Sequence, residues 1–85
     1  MAKYNGHKNW NHWNVSLWIN NDEGLYRAAK NFIRRYPRPA YGFDGSARDY
    51  AASKMLEWLR DDGITKTPDG APYSKSAIRA AMVGM

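Results

Sequence analysis

The first third of the chain carries apolar residues at helical spacing. Four of them follow the positions i, i+3, i+7 and i+8 of one helix face: Trp10, Trp13, Leu17 and Trp18. This spacing predicts a first helix over residues 9–19, with that face directed inward. Val15 and Ile19 extend the apolar surface almost around the helix, which is typical of a helix that is buried or bound to a partner.

A second helix with a cleaner pattern is expected after the polar residues 20–23. Asn20 or Asn21 can cap this helix, and the acidic residues that follow favour its N-terminal dipole. Its apolar positions repeat at i, i+3, i+4, i+7, i+8 and i+11: Leu25, Ala28, Ala29, Phe32, Ile33 and Tyr36. The opposite face carries cations, so the sequence predicts an amphipathic helix with a basic outer surface.

A third helix is predicted after the Pro- and Gly-containing residues 37–45, which break the second one. Ser46 and Asp49 have the spacing of a capping box, with Asp in place of the usual Glu. The helix is therefore expected from Ser46 to about Asp61, and Gly63 can end it in the left-handed conformation. Four of its residues are expected to be buried: Ala51, Met55, Trp58 and Leu59.

The last helix is expected to begin at Ser74, which can cap it. Its apolar edge consists of Ala77, Ile78, Ala81 and Met82. Before it, residues 67–70 read Thr-Pro-Asp-Gly, the composition of a type I turn. The surrounding residues 64–73 can form a loop or a short β-hairpin, and the pattern does not decide between the two.

These segments predict an all-α fold, in which residues 1–85 form a single compact four-helix domain with a possible short hairpin at 64–73. A chain of 85 residues buries only about 60–65% of its unfolded surface, so its aromatic side chains are expected to stabilise the core. We expect six side chains to join the first three helices: Trp13, Leu17, Trp18, Leu25, Phe32 and Trp58.

The composition narrows the class of protein. The chain has no cysteine, which excludes disulfides and thiolate metal sites and fits a reducing compartment. Its two histidines, His7 and His12, lack further donors at metal-ligand spacing. No serine or carboxylate pair has the setting of a catalytic group, so we expect no cofactor and no enzymatic activity. Without an apolar run of ~20 residues or a signal peptide, the expected location is the cytoplasm, away from membranes.

Positive charge is concentrated in one part of the chain. The formal net charge is +5, and residues 27–38 alone contain five cations and no acid. Two more cations lie among residues 71–85, again without an acid. Clustered positive charge favours polyanionic partners. The candidate residues for binding nucleic acid or another partner are Arg27, Lys30, Arg34, Arg35, Arg38, Lys75 and Arg79.

Aromatic residues form a second candidate binding surface, because Trp, Tyr and Arg dominate the hot spots of protein interfaces. One of these residues lies near the N-terminus, and the others flank or lie in the break at 37–45. The candidate anchors are Trp10, Tyr36, Tyr41 and Phe43. The break also brings an arginine, Arg38, beside Tyr36 and Tyr41. An exposed ring can also stack on an unpaired base, so aromatic content does not by itself identify the partner.

The C-terminal third resembles a segment of large serine recombinases. Residues 59–79 read Leu-Arg-Asp-Asp-Gly-Ile-Thr-Lys-Thr-Pro-Asp-Gly-Ala-Pro-Tyr-Ser-Lys-Ser-Ala-Ile-Arg. In that family a helix also ends in Gly-Ile, a turn contains Thr-Pro and Gly, an aromatic residue precedes Ser, and a basic helix follows. The segment belongs there to a DNA-binding region. The resemblance therefore implies DNA contact by Lys75 and Arg79.

A longer resemblance covers the first part of the chain. Residues 4–6 read Tyr-Asn-Gly, residues 13–19 read Trp-Asn-Val-Ser-Leu-Trp-Ile, and residues 21–26 read Asn-Asp-Glu-Gly-Leu-Tyr. This looks like a family of small tailed-phage proteins that open with Tyr-Asn-Gly, continue Glu-Thr-Trp-Asn-Val-Ala-Leu-Trp and often end after a Thr-Pro-Asp-Gly turn. The chain departs from that pattern at residues 11–12, where it has Asn-His. The resemblance implies a phage or prophage accessory protein of the bacterial cytoplasm, and it transfers no functional residue.

Two functional hypotheses follow. The first is a non-enzymatic phage accessory protein that binds nucleic acid or a nucleoprotein through its basic residues. The second is a phage-encoded inhibitor of a host protein or defence complex, comparable with anti-CRISPR proteins, that binds through aromatic anchors. A structural subunit of the virion is less favoured, because the chain lacks long strands and coiled-coil heptads. The sequence identifies neither the partner nor the host nor the oligomeric state.

Overall fold

Four α-helices make up the fold in the computed structural model, which describes residues 9–85. α1 spans Trp10–Asn21, α2 Glu23–Arg35, α3 Ala47–Asp61 and α4 Lys75–Ala81. α1 packs on α2 and α4, and α3 packs on the same two helices from the other side of the core. The predicted all-α, four-helix class is confirmed for the described part of the chain.

Each helix begins at a polar residue whose side chain accepts a hydrogen bond from the first turn. Asn9 starts α1 in this way, with a distance of 3.0 Å to the backbone nitrogen of His12. Ser46 and Asp49 form the complete capping box of α3, and Ser74 caps α4. The predicted starts of α3 and α4 are therefore confirmed, as is the positive φ of the glycine that follows α3, +75° at Gly63.

The start of α2 differs from the prediction. Asn20 and Asn21 were equally suitable caps by residue type, but both lie in the last turn of α1. The cap is Asp22, whose Oδ1 accepts a hydrogen bond from the Leu25 backbone at 2.9 Å. Asp22 also ends α1, because its own N–H donates to the carbonyl of Trp18. Asn20, Asn21 and Asp22 are all residue types that favour the cap position, so the local sequence could not show which of them caps α2.

The core lies between α1, α3 and α4, with α2 closing one side. Its largest fully buried apolar side chains are Val15, Ile19, Met55, Leu59, Ile78 and Met82. α2 adds the buried Ala29 and partly buried side chains that include Leu25 and Phe32. The predicted apolar edge of α4 is confirmed, and three of the four residues predicted to be buried in α3 are in the core.

The inward face of α1 is not the tryptophan-rich face that the spacing predicted. Asn14, Val15 and Ile19 are buried, whereas Trp10 and Leu17 are 38% and 37% exposed. The buried face is turned by about a third of a revolution from the predicted one, since each residue advances a helix by ~100°. The prediction was wrong because α1 is apolar on most sides, so spacing alone could not select the face.

The fourth residue predicted to be buried in α3, Trp58, lies at the surface and is 41% exposed. Its ring still contacts Phe32 of α2, with 5.8 Å between ring centroids and an interplanar angle of 57°. The sequence predicted that side chains of the first helix pack on Trp58, whereas the ring that contacts it here is that of Phe32, at the edge of the core. The exposed part of the Trp58 indole is available to a partner.

The segment between α3 and α4 is a tight hairpin loop with one antiparallel bridge, between Lys66 and Pro72. The N–H of Thr67 donates to the carbonyl of Ala71 and the N–H of Gly70 to that of Thr67, both at 2.8 Å. Gly70 has a φ of +95°, as the left-handed residue of a three-residue hairpin loop requires. The segment therefore reverses direction as a hairpin does, but its two arms are joined by a single bridge and do not form continuous strands.

Candidate functional site

Five cations form an exposed surface along α2 and the turn after it. We call this surface the basic face; it consists of Arg27, Lys30, Arg34, Arg35 and Arg38. The opposite side of α2 supplies apolar side chains to the core, among them Ala29 and Phe32. The amphipathic pattern of α2 therefore directs the cations to solvent, as the sequence predicted.

Three of the cations form a line. Arg27, Lys30 and Arg34 are spaced i, i+3 and i+7, so they lie on one side of α2. At ~1.5 Å per residue, Arg27 and Arg34 are about 10 Å apart along the helix axis. Arg35 lies beside this line on the side toward α3, where it lines a hollow together with Trp58.

The contacts within the basic face leave its positive charge largely available. Arg27 pairs with Glu23, but the two side chains are 74% and 75% exposed, where an ion pair contributes little. Lys30 Nζ lies 5.4 Å from the centre of the Tyr26 ring, which holds the cation without neutralising it. Glu23 is the only acid in α2, so the helix keeps an excess of positive charge.

The arginine that meets Tyr36 is not the predicted one. The sequence predicts Arg38 beside Tyr36 and Tyr41, whereas the guanidinium over the Tyr36 ring is that of Arg35, 6.0 Å from its centre. Arg38 lies in the exposed segment that follows α2. The cation–aromatic contact therefore belongs to the end of α2 and helps to fix Arg35.

The two remaining predicted cations are on α4, which does not contact α2 among the described helices. Lys75 Nζ lies 5.7 Å from the centre of the Phe43 ring. Arg79 Nε lies 3.4 Å from Oδ1 of Asp49, and both side chains are only about one-third exposed. Because the charge of Arg79 is met by Asp49 and α4 does not pack directly against α2, we do not include Lys75 and Arg79 in the basic face.

Five aromatic rings form a continuous row, here called the aromatic row: Trp58, Phe32, Tyr36, Tyr50 and Phe43. The centroids of successive rings are 5.8, 6.3, 5.3 and 4.9 Å apart. The row joins α2, α3 and the loop between them. Its centroid distances are typical of stacked and edge-to-face aromatic pairs. Two of the predicted anchors, Tyr36 and Phe43, are thus half-buried within the domain's own packing.

The other two predicted anchors keep ring surface available. Tyr41 is fully exposed and Trp10 is 38% exposed. Tyr41 lies in a turn beside Gly42, whose φ of +84° is in the left-handed region that favours glycine. A protruding aromatic ring of this kind can anchor a protein partner.

Two hollows flank Trp58, and sequence reasoning found neither because each joins residues that are distant in the chain. The larger one, the groove, has a volume of about 650 Å³, and residues that line it include Trp18, Asp22, Leu25, Trp58, Ile64 and Lys66. The smaller one, the notch, lies between α2 and α3 and has a volume of about 260 Å³. The residues that line the notch are Ala28, Asn31, Phe32, Arg35 and Trp58.

A buried polar network between α1 and the hairpin loop was also not predicted from the sequence. Asn14 is 1% exposed, and its Nδ2 donates to Oδ2 of Asp69 at 2.9 Å. Trp18 Nε1 donates to the same oxygen at 2.9 Å, and Thr67 Oγ1 donates to Oδ1 of Asn14 at 2.5 Å. The hydrogen bonds from Asn14 and Trp18 hold the pKa of Asp69 below its ordinary value. The network fixes the hairpin loop on α1.

A serine and a histidine meet where the sequence did not indicate it. His12 Nε2 lies 3.3 Å from Oγ of Ser76, in a solvent-accessible contact between α1 and α4. Neither residue lines the groove or the notch, the two hollows beside Trp58. We therefore interpret it as part of the packing of α1 on α4.

Within 9–85, no group of three His, Cys, Asp or Glu side chains could hold a metal ion. His7, the other histidine of the chain, lies outside the described residues. In the same part of the chain, none of the helices combines the length and the apolar character needed to cross a membrane.

The fold and its surface define a small all-α domain with a basic helix face. The chain belongs to a family of unknown function, DUF7249, whose family model matches residues 1–85. No curated protein and no solved structure matches the chain.

Proposed function

We propose that this protein binds nucleic acid through the basic face, without catalysing a reaction on it. The supporting observation is the exposure of five cations on one side of α2 and in the turn after it, with Glu23 as the only acid of that helix. Contacts from Lys and Arg to phosphates provide most of the affinity of sequence-independent binding. A helix with a line of cations has the shape and charge to follow a phosphate backbone.

The length of the basic face sets the number of phosphates it can contact. Arg27 and Arg34 are about 10 Å apart along the axis, and one strand of a duplex carries a phosphate about every 3.4 Å of axis. The line from Arg27 to Arg34 thus matches about three phosphates. Arg35 and Arg38 extend the surface, so we expect about three to five phosphate contacts in all.

Charge reversal tests this proposal. The variant Arg27→Glu, Lys30→Glu and Arg34→Glu places acids where phosphates are expected, and it leaves the core face of α2 unchanged. We expect it to abolish binding of labelled duplex and single-stranded oligonucleotides in fluorescence anisotropy titrations at low salt. Circular dichroism should show that the variant keeps its helices, because the three side chains are exposed.

A matched control separates the basic face from overall charge. Arg60→Glu, Lys66→Glu and Lys75→Glu reverse three exposed cations outside α2. Both variants change the formal net charge from +5 to −1, since each of the three reversals subtracts two charges. The control should retain most of the affinity. Equal loss of binding in both variants would overturn the assignment to the basic face, and absence of binding by the wild type would overturn the function.

The proposed setting is the cytoplasm of a bacterium that carries a phage or prophage. It is supported by the resemblance of residues 4–6, 13–19 and 21–26 to small tailed-phage proteins. The tagged protein, produced in bacteria, is expected in the cytoplasmic fraction after cell fractionation. Nuclease treatment of that fraction should lower the apparent mass of the protein in size-exclusion chromatography. Recovery with the membrane fraction would contradict this setting.

The alternative function is inhibition of a host protein or defence complex through aromatic contacts. One observation favours it, the complete exposure of the Tyr41 ring. A protein partner would be retained in a pull-down from host lysate after nuclease treatment and would be lost on Tyr41→Ala. A partner that disappears with nuclease and is retained by Tyr41→Ala would instead support the nucleic-acid proposal.

A further inference from the structure

Trp58 presents its ring to solvent beside the basic face. The indole is 41% exposed, and its orientation is fixed by Phe32, whose ring centroid is 5.8 Å away. Phe32 in turn stacks on Tyr36, with 6.3 Å between centroids and an interplanar angle of 11°. The exposed part of Trp58 is therefore the end of the aromatic row, a rigid apolar surface held by the rings behind it.

The two hollows that share Trp58 differ in charge. The groove is lined by one acid, Asp22, and one cation, Lys66, whose charges offset each other, and it is bordered by Trp18, whose Nε1 is bonded to Asp69. The notch contains no acid among its lining residues, and one of them, Arg35, belongs to the basic face. A strand whose phosphates lie along α2 would therefore meet Trp58 from the notch and not from the groove.

The notch also offers a polar group. Asn31 lines it and is exposed on α2. Its Oδ1 accepts a hydrogen bond from Nη1 of Arg34 at 3.3 Å, which orients the amide so that its NH₂ group remains a donor. An amide that donates beside an aromatic ring suits the acceptor atoms on the edge of a nucleobase.

We propose that the notch binds an unpaired base, stacked on Trp58, while the phosphates of the same strand lie on the basic face. This inference rests on the proposed nucleic-acid function and makes single strands the preferred ligand. In a duplex the bases are already stacked on one another and paired, so they cannot enter the notch without being extracted. A single strand can use both parts of this surface at once, because its phosphates meet the cations of the basic face while an unpaired base stacks on Trp58.

The first test uses the wild-type protein and three labelled probes: a thymidine strand of about ten nucleotides, the same backbone without bases, and a duplex of equal length. The first two probes offer the same phosphates and differ only in their bases, whereas the duplex carries two phosphate backbones and no unpaired base. We expect the first to bind roughly 5- to 150-fold more tightly than the abasic strand, the range that corresponds to stacking of one base. Equal affinity for the base-bearing and the abasic strand would overturn the proposal.

A pair of variants assigns the effect to the notch. Trp58→Leu should lose the preference for the base-bearing strand and bind the abasic strand as the wild type does. Ile64→Ala is the control, since Ile64 is exposed to a similar extent, 40%, and lines the groove but not the notch; it should keep the preference. Loss of the preference in Ile64→Ala, or its retention in Trp58→Leu, would overturn the notch as the site.

The outcomes separate this inference from the function on which it rests. If all three probes bind alike, the protein binds phosphate backbones and only the base site is overturned. If none of the probes binds at low salt, both proposals are overturned. The wild-type comparison needs no substitution, so the result is decisive even if Trp58→Leu is less stable than the wild type.

Discussion

The side-chain amide of Asn14 donates a hydrogen bond to Oδ2 of Asp69 at 2.9 Å, although 55 residues separate the two in the chain. Asn14 is buried in α1, and Asp69 lies in the hairpin loop. The first helix and the turn 67–70 therefore meet in the fold, and the contact between them is structural.

Removal of the Asp69 carboxylate is expected to destabilise the protein. Asp69→Ala would leave the buried Nδ2 of Asn14 without its acceptor, and an unsatisfied buried polar group costs about 1–3 kcal/mol. Urea denaturation would measure the change in the free energy of unfolding. Asp61→Ala is the control, because it removes an exposed acid and should change stability by less than about 0.5 kcal/mol. Equal effects of the two substitutions would contradict a structural role of the network.

Acid is expected to weaken the same interaction. Hydrogen bonds from Asn14, and then from Trp18, hold the pKa of Asp69 below its ordinary value of 3.8. A carboxyl group with a lowered folded pKa contributes stability that is present above its unfolded pKa and is lost as the pH falls through the folded pKa. The difference in unfolding free energy between the wild type and Asp69→Asn should therefore narrow below pH about 4.

Denaturation curves recorded between pH about 2 and 6 would show this narrowing. Asp49 should contribute in the same direction, since hydrogen bonds from the backbone and the side chain of Ser46 lower its pKa. The wild type is thus expected to lose some stability in acid even apart from Asp69. A difference between the wild type and Asp69→Asn that stays constant over the whole range would show that the carboxylate of Asp69 does not stabilise the fold.

The inward face of α1 can be tested with two neighbouring aliphatic residues. Ile19 is fully buried and Leu17 is 37% exposed. Ile19→Ala is expected to cost about 2–5 kcal/mol of stability, and Leu17→Ala about 1 kcal/mol or less. Chemical denaturation of the two variants would measure the difference. If Leu17→Ala proved the more destabilising, the tryptophan-rich face would be the buried one, as the sequence pattern indicated.

The distribution of binding energy should distinguish phosphate contact from protein contact. Arg34→Ala, Arg35→Ala and Arg38→Ala are each expected to lower oligonucleotide affinity by a similar factor, about tenfold or less at 0.1 M salt, because each removes one phosphate contact. Tyr41→Ala should have no effect on this affinity. A flat profile over the three arginines agrees with the nucleic-acid proposal. One dominant aromatic position, with a loss of 2 kcal/mol or more, would favour the inhibitor alternative.

Local chemistry explains which parts of the fold could be predicted. Ser46 and Ser74 begin α3 and α4 as expected, since a cap depends on residues three positions apart. The amphipathic pattern of α2 placed its cations outward for the same local reason. The buried face of α1 depends on hydrogen bonds between Asn14 and a loop far along the chain. The spacing of apolar residues within α1 holds no information about these bonds. The notch likewise requires α2 and α3 to meet at Phe32 and Trp58. The sequence pattern predicted that Trp58 is buried, so it did not indicate that the ring is exposed beside this contact.

The salt dependence of wild-type affinity for a short duplex tests nucleic-acid binding by the basic face most directly. Contact with about three to five phosphates predicts a slope of about −2.7 to −4.5 for log K against log salt, at −0.9 per phosphate. Anisotropy titrations at four or more salt concentrations, starting from about 0.05 M, would give this slope. A slope in that range agrees with phosphate contact along α2. A slope near zero, or no binding at the lowest salt concentration, would contradict it.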